Sequence, residues 1–153
     1  MVTVRKFGAG KSVRRTEDRR LLTGDGWYLD DVNLAFQAHG HVLRSPHAHA
    51  RIKSIDTRAA KAAPGVLLVL TGADAQADGL GTLPCLAPVK NRDGSRCHIG
   101  GWTLLVADKV RYAGDGIAFV VAETLDQARD AAELIEVEYE ILPHVLDVSE
   151  AMR

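Results

Sequence analysis

Hydrophobic and polar residues alternate where the chain first becomes regular. "FQAHGHVLR" (36–44) alternates, with Phe36, Ala38, Gly40 and Val42 on one face and Gln37, His39, His41 and Leu43 on the other, which predicts a strand. The pair Ser45-Pro46 then breaks the strand, because proline donates no hydrogen bond to a sheet. A second short strand is predicted for "ARIKSI" (50–55).

A helix and a third strand are predicted next. Asp56 suits a helix N-cap, and "TRAAKAA" (57–63) has the composition of a short helix that stops at Pro64-Gly65. "VLLVL" (66–70) is a continuous apolar run, which is typical of a strand covered on both faces.

The last third has the clearest pattern. "GIAFVVA" (116–122) predicts a buried strand, and Thr124 and Gln127 match the T-x-x-Q capping box that begins a helix. "EVEYEI" (136–141) alternates as a strand. The helix between them, "LDQARDAAELI", has one apolar stripe formed by Leu125, Ala128, Ala132 and Ile135.

Strand–helix–strand therefore occurs twice, at 50–70 and at 117–141. This predicts an α/β (α+β) fold with mixed sheets and helices packed on one side. Residues 1–34 hold charges, glycines and the turn "TGDGWYLDD", and we interpret them as an extended N-terminal arm with a hairpin-like bend before a domain at 35–153. Residues 72–103 look irregular, which predicts a functional loop or an interaction surface.

Composition narrows the class of protein. The 153 residues are 46% hydrophobic with a formal net charge of −1, which is ordinary for a globular protein and gives no indication of nucleic acid or membrane binding. The start has no apolar run suited to secretion, and no stretch approaches the ~18–20 apolar residues that span a bilayer. Two cysteines, Cys85 and Cys97, do not make a disulfide framework, so we expect a cytoplasmic protein.

Charge is distributed unevenly along the chain. Seven Lys or Arg lie at 5–20, and nine Asp or Glu lie at 123–150. Such ends mark either docking faces or solvated surfaces. The acidic residues Glu136, Glu138 and Glu140 share one face of a predicted strand, which indicates an edge that faces solvent or a subunit.

Common catalytic motifs are incomplete. Gly10-Lys11-Ser12 resembles the end of a phosphate-binding loop, but Arg5 stands where the opening glycine is needed. The chain has no G-x-S-x-G elbow and no Ser/His/Asp order. A hydrolase or a nucleotide-binding enzyme is therefore a poor match.

Four of the six histidines lie within eleven positions. His39 and His41 would point the same way from a strand and could offer two metal ligands, whereas a zinc site takes three or four. His47 and His49 follow the proline with no acidic residue between them. We favour structural or interface histidines, with a metal site as the alternative.

The order and spacing of several longer blocks carry a resemblance. "GKSVRRTEDRRLLTGDGWYLDDV", "LRSPHAHARIKSIDTRAAKAAPGVLLVLTGAD" and "LLVADKVRYAGDGIAFVVAETLDQARDAAELIEVEYEILP" together cover most of the chain. They resemble the N-terminal part of the large subunit of molybdenum hydroxylases, the family of xanthine dehydrogenase, aldehyde oxidase and aerobic carbon monoxide dehydrogenase. The resemblance implies an α/β hammerhead domain, with "RSPHAHARI" as a structural motif.

The same resemblance implies an oxidoreductase in the complete protein. The large subunit would hold a molybdenum–pterin cofactor, and iron–sulfur clusters and FAD would lie on partner subunits or domains. The family's pterin-binding loops and catalytic glutamate lie downstream of this domain, so we assign no catalytic, cofactor-binding or metal-binding residue here and expect the 153-residue chain to be inactive alone. The candidate interface residues are Arg14, Arg15, Arg19, Arg20, His47 and His49.

The predicted partners are the remainder of the large subunit and the iron–sulfur and FAD subunits. Arginine suits such contacts because its planar guanidinium pairs with carboxylates and carbonyls. A stand-alone binding or scaffold protein with the same fold and no catalysis is the alternative.

Overall fold

The computed structural model describes residues 14–87, 89–97 and 100–151. It divides into two compact units, Met1–Gln37 and Ala38–Arg153. The Gly10-Lys11-Ser12 motif lies outside the described residues. The division of the chain into an arm at 1–34 and a domain at 35–153 stays a prediction.

The first unit contains a short helix, α1 (Asp18–Leu22), and a 3-10 helix at Leu29–Asp31. Gly24 has a φ of +79°, as the "TGDG" turn requires. This turn follows a helix, and the described residues 14–37 contain no strand, so the expected hairpin-like bend is wrong. Local helical hydrogen bonds, such as that from the Leu21 N–H to the Glu17 carbonyl, form this segment instead.

The second unit contains six strands and four helices among its described residues. The strands are β1 (His39–Arg44), β2 (Ala50–Asp56), β3 (Val66–Thr71), β4 (Lys109–Val110), β5 (Gly116–Ala122) and β6 (Glu136–Ile141). The helices are α2 (Arg58–Ala62), α3 (Gly72–Ala77), α4 (Leu125–Glu133) and α5 (Val148–Ala151).

The strands form two three-stranded sheets. The first has the order β1-β5-β3 and the second the order β4-β2-β6. Every pair in both sheets is antiparallel, so the α/β class is confirmed but the expected mixed pairing is not. The reason is that each strand–helix–strand unit sends one strand to each sheet: β2-α2-β3 and β5-α4-β6 are joined through β2–β6 and β3–β5.

The larger core lies between the first sheet and α4. Small buried side chains of β5, among them Ala118, Val120 and Ala122, meet Ala128 and Ala132 of α4. The predicted capping box begins this helix: the Thr124 hydroxyl accepts from the Gln127 N–H at 3.2 Å, and the Gln127 side chain accepts from the Thr124 N–H at 3.0 Å. The expected stripe is shifted, because Leu125 is exposed and Ala131 is buried in its place.

A smaller core joins the start of β5 to the second sheet. Its buried members are Ala50, Val106, Val110 and Ile117. The pairs Lys53–Glu138 (3.6 Å) and Arg51–Glu140 (4.0 Å) cross the outer surface of this sheet. The acidic series of β6 is exposed; Glu138 and Glu140 are matched by basic residues of β2, whereas Glu136 lies opposite Asp56.

Two local predictions differ from the structure. Asp56 is not the N-cap of α2; Thr57 is, although the Asp56 carboxylate still accepts from the Arg58 N–H at 2.9 Å. β3 was expected to be covered on both faces, but Leu67 and Leu68 are exposed because β3 is an edge strand of the first sheet.

The segment 72–103 is more ordered than its composition suggests. It begins with α3, which has its own capping box between Thr71 and Asp74. Antiparallel bridges join Leu83 to Trp102 and Lys90 to Arg96. The described residues between these bridges form a projection, called the finger below, with the first bridge at its base and the second near its tip. Cys85 is exposed and Cys97 half-buried on this finger, and no disulfide joins them.

Candidate functional site

The histidine motif forms the turn between β1 and β2. Ser45 is buried, and its hydroxyl oxygen accepts from the His47 N–H at 3.0 Å, which closes the turn around Pro46. Backbone hydrogen bonds from the Ser45 N–H to the Asp115 carbonyl (2.9 Å) and from the Gly114 N–H to the Ser45 carbonyl (2.8 Å) fix the turn to the start of β5.

Both histidines of this turn contact the end of the second sheet. The His47 ring packs edge-on against Tyr139 of β6, with centroids 4.8 Å apart. His49 Nδ1 lies 2.6 Å from the Pro143 carbonyl oxygen. Because a carbonyl only accepts, Nδ1 carries the proton in this contact. The contacts of both rings join the turn to the strand end, as a structural role requires.

His39 and His41 stand on β1 with the orientation that their spacing predicts. They pair with Ala122 and Val120 of β5 and so share the helix-covered face of the first sheet. Both are half-buried. Within residues 14–87, 89–97 and 100–151 no group of three or more His, Cys, Asp or Glu side chains could hold a metal ion.

A buried carboxylate that the sequence analysis missed lies beside the turn. Asp115 is 6% exposed, and its Oδ2 accepts from the Arg111 N–H at 3.1 Å. Burial, and next the negative charge of Asp115, raise the pKa of the Tyr112 hydroxyl. The only sequence signal was an acidic residue between two glycines, directly before a buried strand.

Tyr112 and Asp115 border a cavity of about 180 Å³. Trp102 forms another wall, and its ring lies 5.9 Å from that of Tyr112. A second, open cavity of about 540 Å³ lies between the histidine turn and the residues after β6, with His49, Arg111 and His144 on its walls. Burial also raises the pKa of Tyr139 under the turn.

The two cavities differ in the ionisable groups that their described lining residues offer. The walls of the first offer one carboxylate, which already accepts from a backbone N–H, and the walls of the second offer imidazoles and a guanidinium without an acidic partner.

The four candidate arginines belong to the first unit, whereas the candidate histidines belong to the second. All four arginines are exposed. Arg15 pairs with Asp18 at 2.9 Å, and the other three have no ion pair with any residue that the structure describes. The structure brings His47 and His49 together on one turn.

Comparisons with known proteins agree on one family. The family model "Aldehyde oxidase and xanthine dehydrogenase, a/b hammerhead domain" matches residues 23–143. The chain is 45% identical over 146 residues to the carbon monoxide dehydrogenase large chain of Afipia carboxidovorans, covering 95% of this chain and 17% of that protein. It is 45% identical over 138 residues to the nicotine 6-hydroxylase large subunit of Paenarthrobacter nicotinovorans, covering 90% of this chain and 16% of that subunit.

Solved structures give the same result. The crystal structure of the Cu,Mo-CO dehydrogenase superposes with a TM-score of 0.75 at 45% identity, over 94% of this chain and 17% of that one. Quinoline 2-oxidoreductase from Pseudomonas putida 86 gives a TM-score of 0.75 at 44% identity, with the same coverage. The chain spans about one sixth of the length of these relatives.

In the part of the chain that the structure describes, no helix is both long and apolar enough to cross a membrane. The two antiparallel sheets, the "RSPHAHARI" turn that joins β1 to β2, and the matches to sequence and structure lead to one assignment. The chain belongs to the aldehyde oxidase and xanthine dehydrogenase family, of which it is an α/β hammerhead domain.

Proposed function

We propose that the chain is the N-terminal hammerhead domain of the molybdenum-binding large subunit of an oxidoreductase, with a structural and docking role and no activity alone. The observation that carries this proposal is the 45% identity to a carbon monoxide dehydrogenase large chain, which extends over 95% of this chain but only 17% of that protein. Most of the polypeptide of such a relative lies outside the matched region, and the proposal places the chemistry there.

The molybdenum–pterin cofactor belongs, in this proposal, to the remainder of the large subunit. The described residues do not fit it: the buried carboxylate of Asp115 is already hydrogen-bonded, and the histidines of the turn contact Tyr139 and the Pro143 carbonyl. Iron–sulfur clusters and FAD would be carried by partner subunits or domains. One relative is named as the gamma subunit of a dehydrogenase complex, which supports the expectation of partners.

The docking role assigns a task to the candidate interface residues. Arg14, Arg19 and Arg20 are exposed guanidinium groups without an ion pair in the described residues, so they are available to carboxylates or carbonyls of a partner. His47 and His49 would support an interface indirectly, because they set the shape of the turn. A cytoplasmic location completes the proposal.

The test compares two purified proteins: the 153-residue chain and the complete product of its native reading frame, expressed with its neighbouring genes. We expect stoichiometric molybdenum, a flavin and iron–sulfur absorption spectrum, and oxidoreductase activity only in the complete product. Stoichiometric molybdenum or a flavin band in the 153-residue chain would contradict its proposed inertness. A native product that ends at Arg153 and carries no redox centre would instead favour the scaffold alternative.

A further inference from the structure

One face of the first sheet points away from α4, and several of its side chains are open to solvent in the part of the chain that the structure describes. The pairs Val42–Phe119 and Leu70–Phe119 place these three side chains across that face, opposite to the face that packs on α4. Leu68 lies on the same face and is 47% exposed. An all-apolar strand such as "VLLVL" is expected where both faces are buried, so this face has the composition of an interior while it is open.

This face forms the floor of a groove of about 250 Å³. Leu80, Leu104 and Leu105 provide its walls together with Ala75 of α3, and Asp78 is the charged residue in its lining. Leu80 and Leu104 are both more than half exposed. Apart from Asp78, the lining is contiguous and apolar, which distinguishes it from the single exposed leucines that are normal on a protein surface.

The groove is preformed. A Cβ atom added to Gly40 would lie 2.5 Å from Cζ of Phe119, so the Phe119 ring lies directly over the Gly40 backbone. A ring held against a strand gives the groove a fixed floor, which lowers the ordering cost of binding.

Size and charge decide the kind of occupant. A volume of about 250 Å³ is below the ~300–1,000 Å³ of cofactor and substrate pockets, so the groove suits one or two anchoring side chains of a polypeptide. A second copy of this chain fits poorly, because a two-fold contact would set one concave surface with an acidic rim against another.

We propose that this groove binds an apolar segment from the remainder of the large chain. The segment would insert a Leu, Met or Phe side chain into the groove and place a basic residue opposite Asp78. The inference rests on the proposed function. Its support is that about five sixths of the length of the relatives lies outside the region that matches this chain. An intramolecular partner also explains an open face lined by leucines, since the face would be covered as soon as the complete chain folds.

The experiment uses the complete native product with its partner subunits and introduces Leu104→Lys, with Leu134→Lys as the matched control. Leu134 is 46% exposed at the end of α4 and does not line the groove. We expect Leu104→Lys to increase the rate of limited proteolysis between the hammerhead domain and the remainder by about tenfold or more, because an open, undocked population is cleaved in proportion to its abundance. Leu134→Lys should leave the rate of proteolysis within about twofold of that of the unchanged protein.

A rim variant keeps the proposal testable if Leu104→Lys fails to give soluble protein. Asp78→Lys leaves the apolar walls intact and should increase proteolysis by a smaller factor, with a stronger effect at low salt. Equal rates for the Leu104, Asp78 and Leu134 variants would overturn the proposal. A concentration-dependent dimer of the 153-residue chain that Leu104→Lys abolishes would overturn it in favour of a second copy.

Failure of this inference is distinguishable from failure of the proposed function. A native product of 153 residues, seen by mass spectrometry, would overturn both. A longer, molybdenum-containing product that tolerates Leu104→Lys and Asp78→Lys would overturn the groove assignment alone.

Discussion

His47 and Tyr139 meet edge to face, with ring centroids 4.8 Å apart and ring planes at 73°. The two residues come from the turn after β1 and from β6, so their contact ties the histidine motif to the end of β6 that pairs with the start of β2. Two bonds to His49 reinforce this tie: its carbonyl accepts from the Leu142 N–H at 3.0 Å, and its ring donates to the Pro143 carbonyl.

Replacing either histidine should therefore lower stability without changing a metal content. We expect His47→Ala to reduce the free energy of unfolding by about 0.5–1.5 kcal/mol, the range measured for edge-to-face ring pairs. His49→Ala should cost about 1 kcal/mol through its lost hydrogen bond. Urea denaturation measures both, with His144→Ala, an exposed histidine, as the control. If either variant released bound zinc, the structural interpretation of the motif would be wrong.

Gly72 should not tolerate a side chain. A Cβ atom there would lie 2.5 Å from the carbonyl carbon and oxygen of Val106, and backbone atoms cannot move aside as a flexible side chain can. We expect Gly72→Ala to destabilise the chain by about 1–3 kcal/mol through overpacking. Gly81→Ala is the control, because nothing lies within 4 Å of its added Cβ. Equal midpoints of thermal unfolding for the two variants would contradict the close approach.

Loss of the N-cap of α4 should lower the free energy of unfolding by a measurable amount. Thr124→Ala removes the hydroxyl that accepts from the Gln127 N–H and should cost about 1 kcal/mol of stability. Thr124→Ser retains the hydroxyl and should recover most of that loss. Guanidinium denaturation of the three proteins checks this, and a Ser variant as unstable as the Ala variant would exclude capping as the cause.

Asp56 should titrate at unusually low pH. The Arg58 side chain, and next the Arg58 backbone N–H, donate to its carboxylate and lower its pKa from 3.8 to about 2. Since the folded pKa is the lower one, the stabilisation is fully present above pH 3.8 and is lost as the pH falls toward 2.

An NMR titration of the side-chain carboxyl carbons tests this assignment. Arg58→Gln should move the Asp56 midpoint up toward 3.8, because the first cause of the shift is removed. Asp93 serves as an internal control, since the Ser95 hydroxyl and N–H lower its pKa without help from an arginine. If the titration midpoint of Asp56 were the same in the Arg58→Gln variant, the pairing of Asp56 with Arg58 would be refuted.

Local patterns predicted the elements whose stability is local. The strand "GIAFVVA", the Thr124–Gln127 box and the helix after it were readable, because alternation, capping and a stripe of small residues are properties of neighbouring positions. The hammerhead class was recognised through the order of longer blocks and is confirmed by the family match.

The rest depended on tertiary pairing. Nothing within "VLLVL" reveals that β3 is an edge strand whose leucines face outward, and the bridges that close the 83–102 finger join residues too far apart for a local signal. Asp115 was missed for the same reason, since its burial follows from the turn that packs on it. The interface roles of the arginines and histidines remain predictions.

Each strand–helix–strand unit contributes one strand to each sheet, and this arrangement affects the rate of folding. Among the described strands, β1 and β3 pair only with β5, and before β6 is available β2 can pair only with the two residues of β4. The second sheet then joins residues as distant as Ser54 and Glu138, which are 84 positions apart. Contacts between residues this far apart in the chain slow folding, because a long loop must close before the strands can form their hydrogen bonds. On the ribosome, β1 and β3 would stay unpaired until β5 has been synthesised, and β2 would gain its longer partner only with β6.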